Sequence, residues 1–253
     1  MDGKIGITND FTVDFTINPD FGQVEADPAA IAFDGFQLFF QEQRPFFIEN
    51  KNIFDYRFSA PITGSIYSTD NLFYSRRIGR NPQRSLNTLE NEYVDAPTQT
   101  NILGAVKFSG KSKKGLSVGV LESVTREEFA TLSDGHSEST HLVEPRTNYF
   151  VLLIQLDLNI RNTFVGGMVT SVIRSDAPET NFLHDDAYTG GLDFLHQWKN
   201  RSWYAGFNLV MSHVEGSEAS ILRTQLSIPH LFQRTDAEHV TVDSTKTCSA
   251  SVR

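Results

Sequence analysis

Apolar and polar residues alternate with a period of two along most of the 253-residue chain, and helical periodicity is scarce. The pattern predicts a mostly β protein. In the first clear run Phe11, Val13, Phe15 and Ile17 point one way and Thr12, Asp14 and Thr16 the other, after a turn at Asn9 and Asp10. An aspartate on the second face implies that this face is wet. Residues 101–109 and 115–124 flank the glycine-bounded turn GKSKKG and form a predicted hairpin. In YFVLLIQLDL, residues Phe150, Leu152, Ile154, Leu156 and Leu158 share a face opposite Gln155 and Asp157. Both faces of TFVGGMVTSVI are apolar or small, so its facing is ambiguous. Next, Tyr188, Leu192, Phe194 and Trp198 oppose Thr189, Asp193 and Gln197, and after the turn KNRS, Trp203, Ala205, Phe207, Leu209 and Met211 oppose Tyr204, Asn208 and Ser212. A further strand is expected over 219–228, and TKTCSASVR reads as another, giving about ten in all.

The connections sharpen this picture. Short turns at 110–115, 159–162 and 199–202 alternate with long polar loops at 125–147 and 174–186. That asymmetry is the one found in outer-membrane barrels, and strands of about 10 residues suffice to cross a bilayer at a tilt. The aromatics Tyr149, Tyr188, Trp198 and Trp203 near strand ends fit interfacial girdles. Alternation and long loops also suit a soluble sandwich or a lipocalin-like barrel, so pattern alone leaves both architectures open.

One stretch departs from the alternation. NPDFGQVEADPAAIAFDGFQLFFQEQRPFFIEN, residues 18–50, places acids and phenylalanines between prolines. Asp34 and Gln37 have capping-box spacing, Phe36, Phe39 and Phe40 follow at helical spacing, and Pro45 disfavours helix at Arg44. These signals predict a short helix over 35–42, whose aromatic face must be buried against the sheet or inside a lumen. The acids Asp20, Glu25, Asp27, Glu42 and Glu49 could include a glycosidase-type pair or calcium ligands. No calcium-loop spacing is present and a glycosidase pair is defined only by separation in space, so capping with buried ion pairs is the preferred account of them.

LFYSRRIGR, residues 72–80, reads as a strand with Arg76 and Arg80 on one face and Arg77 on the other. Anion recognition in a lumen competes here with simple pairing to the acids of 20–49. The resulting candidate network is Glu25, Asp27, Arg44, Glu49, Arg76, Arg77 and Arg80. His184 beside Asp185 and Asp186 has the look of a ligand cluster but lies in an expected polar loop. No GxSxG, Walker, HExxH or GxGxxG motif occurs, so no catalytic residue, metal ligand or cofactor is assigned.

Composition narrows the classes. With 22 basic and 31 acidic residues the formal charge is −9, which disfavours nucleic acid as a partner. Cys248 is the only cysteine, so neither an internal disulfide nor a cysteine metal cluster can form. No apolar run reaches the roughly 18 residues of a membrane helix. The mean hydropathy of −0.29 is still compatible with a membrane barrel, whose strands carry their apolar residues in alternation. MDGKIGITND lacks the pattern of a secretion signal, which leaves a cytoplasmic protein or an internal fragment.

The blocks NPDFGQVEADP, FFQEQRPFFIE, LFYSRRIGR, VEPRTNYFV and LHDDAYTGGLDFLHQW recur in this order over nearly the whole chain. Together they resemble domain-of-unknown-function family 5916, found in outer-membrane proteins chiefly of Bacteroidota and related bacteria. The resemblance implies an all-β, antiparallel, up-and-down barrel of the outer-membrane type, usually preceded by a secretion signal and a family-nine-type carbohydrate-binding domain. On that reading residues 1–253 are one incomplete, open barrel fragment, in which 18–54 form a seating segment and 100–253 supply the hairpins. The expected role is transport or surface handling of a ligand, glycan-derived, at the outer membrane of a Gram-negative bacterium. The expected partners are outer-membrane lipid and a carbohydrate or other small ligand. A carbohydrate-active hydrolase and a non-catalytic envelope assembly protein are the alternatives.

Overall fold

Turns too short for anything but antiparallel pairing dictate how most strands meet. In the computed structural model, which describes residues 1–19, 40–56, 71–88, 91–158, 162–227, 230–234, 236 and 240–252, the strands follow one another across a single sheet. They are β1 (Asp2–Gly6), β2 (Phe11–Ile17), β4 (Ile102–Lys111), β5 (Leu116–Thr125), β8 (Thr147–Leu158), β9 (Thr163–Arg174), β10 (His184–Trp198), β11 (Trp203–Gly216) and β12 (Cys248–Val252). Every pairing is antiparallel, and the sheet stays open, with β1 and β12 as its edges. A second sheet of β3 (Tyr93–Asp95), β6 (Glu128–Ser133) and β7 (Glu138–Glu144) stands apart from the first.

The expected hairpin asymmetry is present in the connections. β1–β2, β4–β5, β8–β9 and β10–β11 join by turns of a few residues at one end, whereas 18–101, 126–146, 175–183 and 217–247 connect strands at the other. Residues 126–146 are not a loop as expected: they contain the β6–β7 hairpin, closed by Asp134, whose Oδ1 accepts the amides of His136 and Ser137 at 2.8 and 2.7 Å.

Registers define the two faces. Partner by partner, Ile5, Val13, Phe108, Val120, Leu152, Val169, Gly190, Met211 and Val252 form one row across all nine strands. No member of this outer row is polar. One residue along, Lys4, Asp14, Lys107, Leu121, Val151, Thr170, Thr189, Ser212 and Ser251 form the inner row. Exposure runs opposite to polarity: Val169 is 50% and Leu192 59% exposed, while Lys107 is 1% and Asp14 4%. The reading of the Asp14 face as wet is therefore corrected. Asp14 and Thr16 are buried because residues 40–56 and 71–80 cross the inner face and cover it.

The hydrophobic core lies between that covering segment and the sheet. Phe47, Phe54, Tyr56 and Ile78 from the segment pack on Ala105, Leu121, Tyr149, Val151, Leu153 and Met168 of β4, β5, β8 and β9. The ambiguous strand β9 is thereby resolved, with Met168 and Thr170 inward and Val165, Val169 and Ile173 outward.

Further corrections follow from local chemistry. Residues 219–228 are mostly helix rather than strand: α2 (Glu218–Leu226) is capped by Ser217 Oγ, which accepts the Ser220 amide at 3.1 Å, and buries Ile221 and Gln225 one turn apart. LFYSRRIGR is not a strand either, since Ser75–Arg77 make a 3-10 turn. The helix expected over 35–42 falls largely outside the described residues, and 40–44 are irregular. The helix that is described here, α1 (Pro45–Ile48), starts at the proline read as a stop, because proline is favourable at the first helical position. Tyr149 points inward and is 7% exposed, so it belongs to the core and to no girdle, while Tyr188, Trp198 and Trp203 are exposed. His184 opens β10 instead of lying in a loop.

Candidate functional site

The chemistry of the molecule concentrates where the covering segment meets the inner face. Lys107 is the central staple. Its Nζ lies 3.5 Å from Asp14 Oδ2 and donates to the carbonyls of Phe46 and, at 2.8 Å, Glu49. The ammonium also sits 4.8 Å from the Phe46 ring centroid, so a lysine in mid-strand is compensated by one carboxylate, two carbonyls and an aromatic face. Lys4 extends the network, standing 3.8 Å from Asp14 and donating to the Glu49 carboxylate. Asn50 Nδ2 adds a bond of 2.9 Å to Ser109 Oγ beside it.

Small residues on the sheet receive the aromatic side chains of the segment. A Cβ at Gly119 would lie 2.9–3.0 Å from Ile53 and Phe54, and one at Gly191 2.6–2.9 Å from Leu72 and Tyr56. At Gly190, which points outward, a Cβ would meet nothing within 4 Å. Burial, and then the Asp193 carboxylate, push the Tyr56 phenol well above its ordinary range.

A second cluster holds the segment together internally. Arg44 grips both oxygens of Glu42 with one edge of its guanidinium, Nε to Oε1 at 2.8 Å and Nη2 to Oε2 at 2.7 Å. It also donates to the carbonyls of Ile78 at 2.6 Å and Ser75 at 2.9 Å, tying 40–44 to 75–78, and its cation lies 4.3 Å from the Phe47 ring centroid. Burial by itself would raise the Glu42 carboxyl, but Arg44 and the Ser75 hydroxyl outweigh it and hold the group below its usual value. Tyr74 closes the cluster, accepting the Phe40 amide at 2.8 Å and donating to the Phe40 carbonyl at 3.1 Å.

The sequence candidates thus separate. Arg44 belongs to the Glu42 cluster and Glu49 to the Lys4–Lys107 network. Arg76 donates to the Gln41 carbonyl at 2.7 Å and lies 5.9 Å from the Phe40 ring. Arg77, in the same turn, is exposed. Partial desolvation, and then the Arg80 charge, pull its guanidinium below the ordinary value. Arg80 anchors through its main chain, its carbonyl accepting the Thr100 amide at 3.0 Å and hydroxyl at 2.7 Å, while its Nε is buried without a partner. Glu25 and Asp27 lie outside the described residues. Lys107, Glu42, Ser75 and the two receiving glycines complete the site. Of these, Glu42 was already among the candidate acids, and the lone lysine in the AVKFS run and the double glycine in YTGGLDF were visible signals that the sequence reading passed over.

His184 pairs with Thr224, Nε2 to Oγ1 at 2.7 Å, and among the described residues no group of three or more His, Cys, Asp or Glu could hold a metal ion. No described helix is long and apolar enough to cross a membrane, which leaves the strands untested on that point.

Nearly the whole chain, residues 1–239, matches the family described as Domain of unknown function (DUF5916). The chain belongs to that family. No curated protein and no solved structure matches it. Within this DUF5916 domain, the matched span contains the covering segment, the staple at Lys107 and the strands up to β11.

Proposed function

We propose that the chain is the wall of an outer-membrane β-barrel, with its outer face against lipid and its inner face turned to a lumen occluded by residues 40–56 and 71–80. The observation that carries this reading is the outer row, apolar across nine strands with Ile5, Val169, Met211 and Val252 exposed, beside an inner row whose Asp14 and Lys107 are buried under residues 40–56 and 71–80. In water a continuous apolar row across nine strands is a surface that soluble monomers avoid; in a bilayer it is the expected one. Strands β4, β5, β8, β9, β10 and β11 reach 10–15 residues, enough to span the hydrocarbon core when tilted. Further strands pairing with β1 and β12 would close the wall.

The role that follows is transport or surface handling of a ligand at the outer membrane, with the covering segment as the element that blocks or shapes the passage. Membrane fractionation of the expressed complete gene product, followed by electrophoresis with and without boiling, tests it. A membrane-bound band whose mobility shifts on heating is expected. A soluble product with unchanged mobility would sink the reading.

A further inference from the structure

We propose that the cleft between α2 and the adjoining ends of β9 and β10 binds the oxyanion group of a small ligand. The cleft holds about 380 Å³, within the size range of small-molecule sites. Arg174 and Arg223 line it together with His184, Thr224, Ser227 and Gln83. Neither arginine pairs with a carboxylate among the described residues, although acids outnumber bases in the chain. Other arginines do: Arg44 with Glu42, Arg84 with Glu179 and Arg234 with Asp236.

The donors at the cleft are held in place but left with capacity. Arg174 Nη1 donates to the His184 carbonyl at 2.6 Å, which orients the guanidinium, while its buried Nε has no acceptor. Arg223 lies 5.2 Å over the Phe182 ring, which fixes the plane of its fork without using its N–H groups. Two acids lie near Arg174: Glu144 is already engaged, its two oxygens accepting the Gln83 amide at 2.8 Å and side chain at 3.1 Å, and Asp185 is exposed and makes no ion pair with it among the described residues. An oxyanion would therefore complete two guanidiniums that no carboxylate pairs with directly among the described residues. Phosphate, sulfate and carboxylate share this chemistry.

The inference is independent of the membrane reading, because anion binding can be positive in a protein that fractionates as soluble. Calorimetric titration of the purified protein with inorganic phosphate, sulfate or acetate, each against sodium chloride at equal ionic strength, tests it. Saturable binding of at least one is expected, and the responding anion distinguishes a tetrahedral from a carboxylate ligand. Arg223→Gln should weaken binding by about tenfold or more, the loss expected for a charge-assisted contact, and Arg174→Gln similarly. Arg234→Gln, in an exposed pair elsewhere, should leave binding unchanged. If Arg174→Gln disrupts folding, Arg223→Gln decides alone, since that side chain is exposed and outside the core. Absence of saturable binding for all three anions, or equal affinity in Arg223→Gln, overturns the proposal.

Discussion

The two faces of the nine-stranded sheet differ by one residue of register and by everything else. The outer row runs from Ile5 to Val252 without a polar side chain, and Ile5, Val169, Met211 and Val252 stand exposed while the others are half-buried. The inner row begins Lys4, Asp14, Lys107 and ends Thr170, Thr189, Ser212, Ser251, and its polar groups are matched to one another or to the covering segment. Thr170 and Thr189 bond at 2.6 Å, and Ser212 and Ser251 at 2.7 Å. A soluble protein sorts its residues the other way. Here the covered side is where polar partners must be satisfied, and the open side is where they are avoided.

The strongest way to break the comparison is at the staple. Lys107→Met leaves Asp14 buried beside only Lys4, and loss of one partner of a buried pair should lower stability by about 3–5 kcal/mol. Denaturant unfolding checks this, and adding Asp14→Leu to the same variant should restore much of the loss. No recovery in the double variant would show that the segment, and not the ion pair, sets the cost.

Second in size is the outer row itself. Leu152→Arg should cost about 2–4 kcal/mol if the face meets lipid, whereas Gln155→Arg on the inner side should be mild. Refolding titrations into detergent or lipid compare them. On a face open to water, the arginine at 152 would instead change stability by no more than about 0.5 kcal/mol.

A third test uses adjacent glycines on opposite faces. Gly191→Val drives a side chain into Leu72 and Tyr56 and should cost about 1–3 kcal/mol by overpacking, while Gly190→Val should be tolerated. Limited proteolysis within residues 40–56 should accelerate in the first variant alone.

The smallest effect concerns pH. The Glu42 carboxyl is lowered in the folded protein from its ordinary value of 4.5, so the stability it contributes is fully present above that value. That contribution disappears as the pH falls through the lowered folded value. Unfolding midpoints measured from neutral into acid should fall less steeply for Glu42→Gln than for the unaltered protein.

Much of this arrangement was legible in the sequence, because alternation survives wherever a strand has two unlike environments. The faces of β8, β10 and β11 follow from their own residues, as does the β4–β5 hairpin. Where the two faces are similar, as in TFVGGMVTSVI, alternation carries no sign, and the packing of Met168 against the core decided it. The strand expected over 219–228 is α2, because the Ser217 cap and the turn-spaced burial of Ile221 and Gln225 outweigh β propensity. Gln225 then fixes this helix to the chain ahead of β12, exchanging bonds of 2.9 and 2.7 Å with the main chain of Asp243.

The candidate site was legible in kind more than in partner. Arg44 and Glu42, two residues apart, could be matched locally. Lys107 finds Phe46 and Glu49 across 61 and 58 residues, and no local pattern encodes such a distance. The sequence by itself determined that this protein is an antiparallel sheet and, in most strands, which residues share a face, since side chains alternate strictly along a strand. Only the tertiary structure decided which face is covered, because that depends on where a long connection lies down. The covering segment turned Glu42, Arg44 and Glu49 from candidate chemistry into the joints of an inward-facing closure.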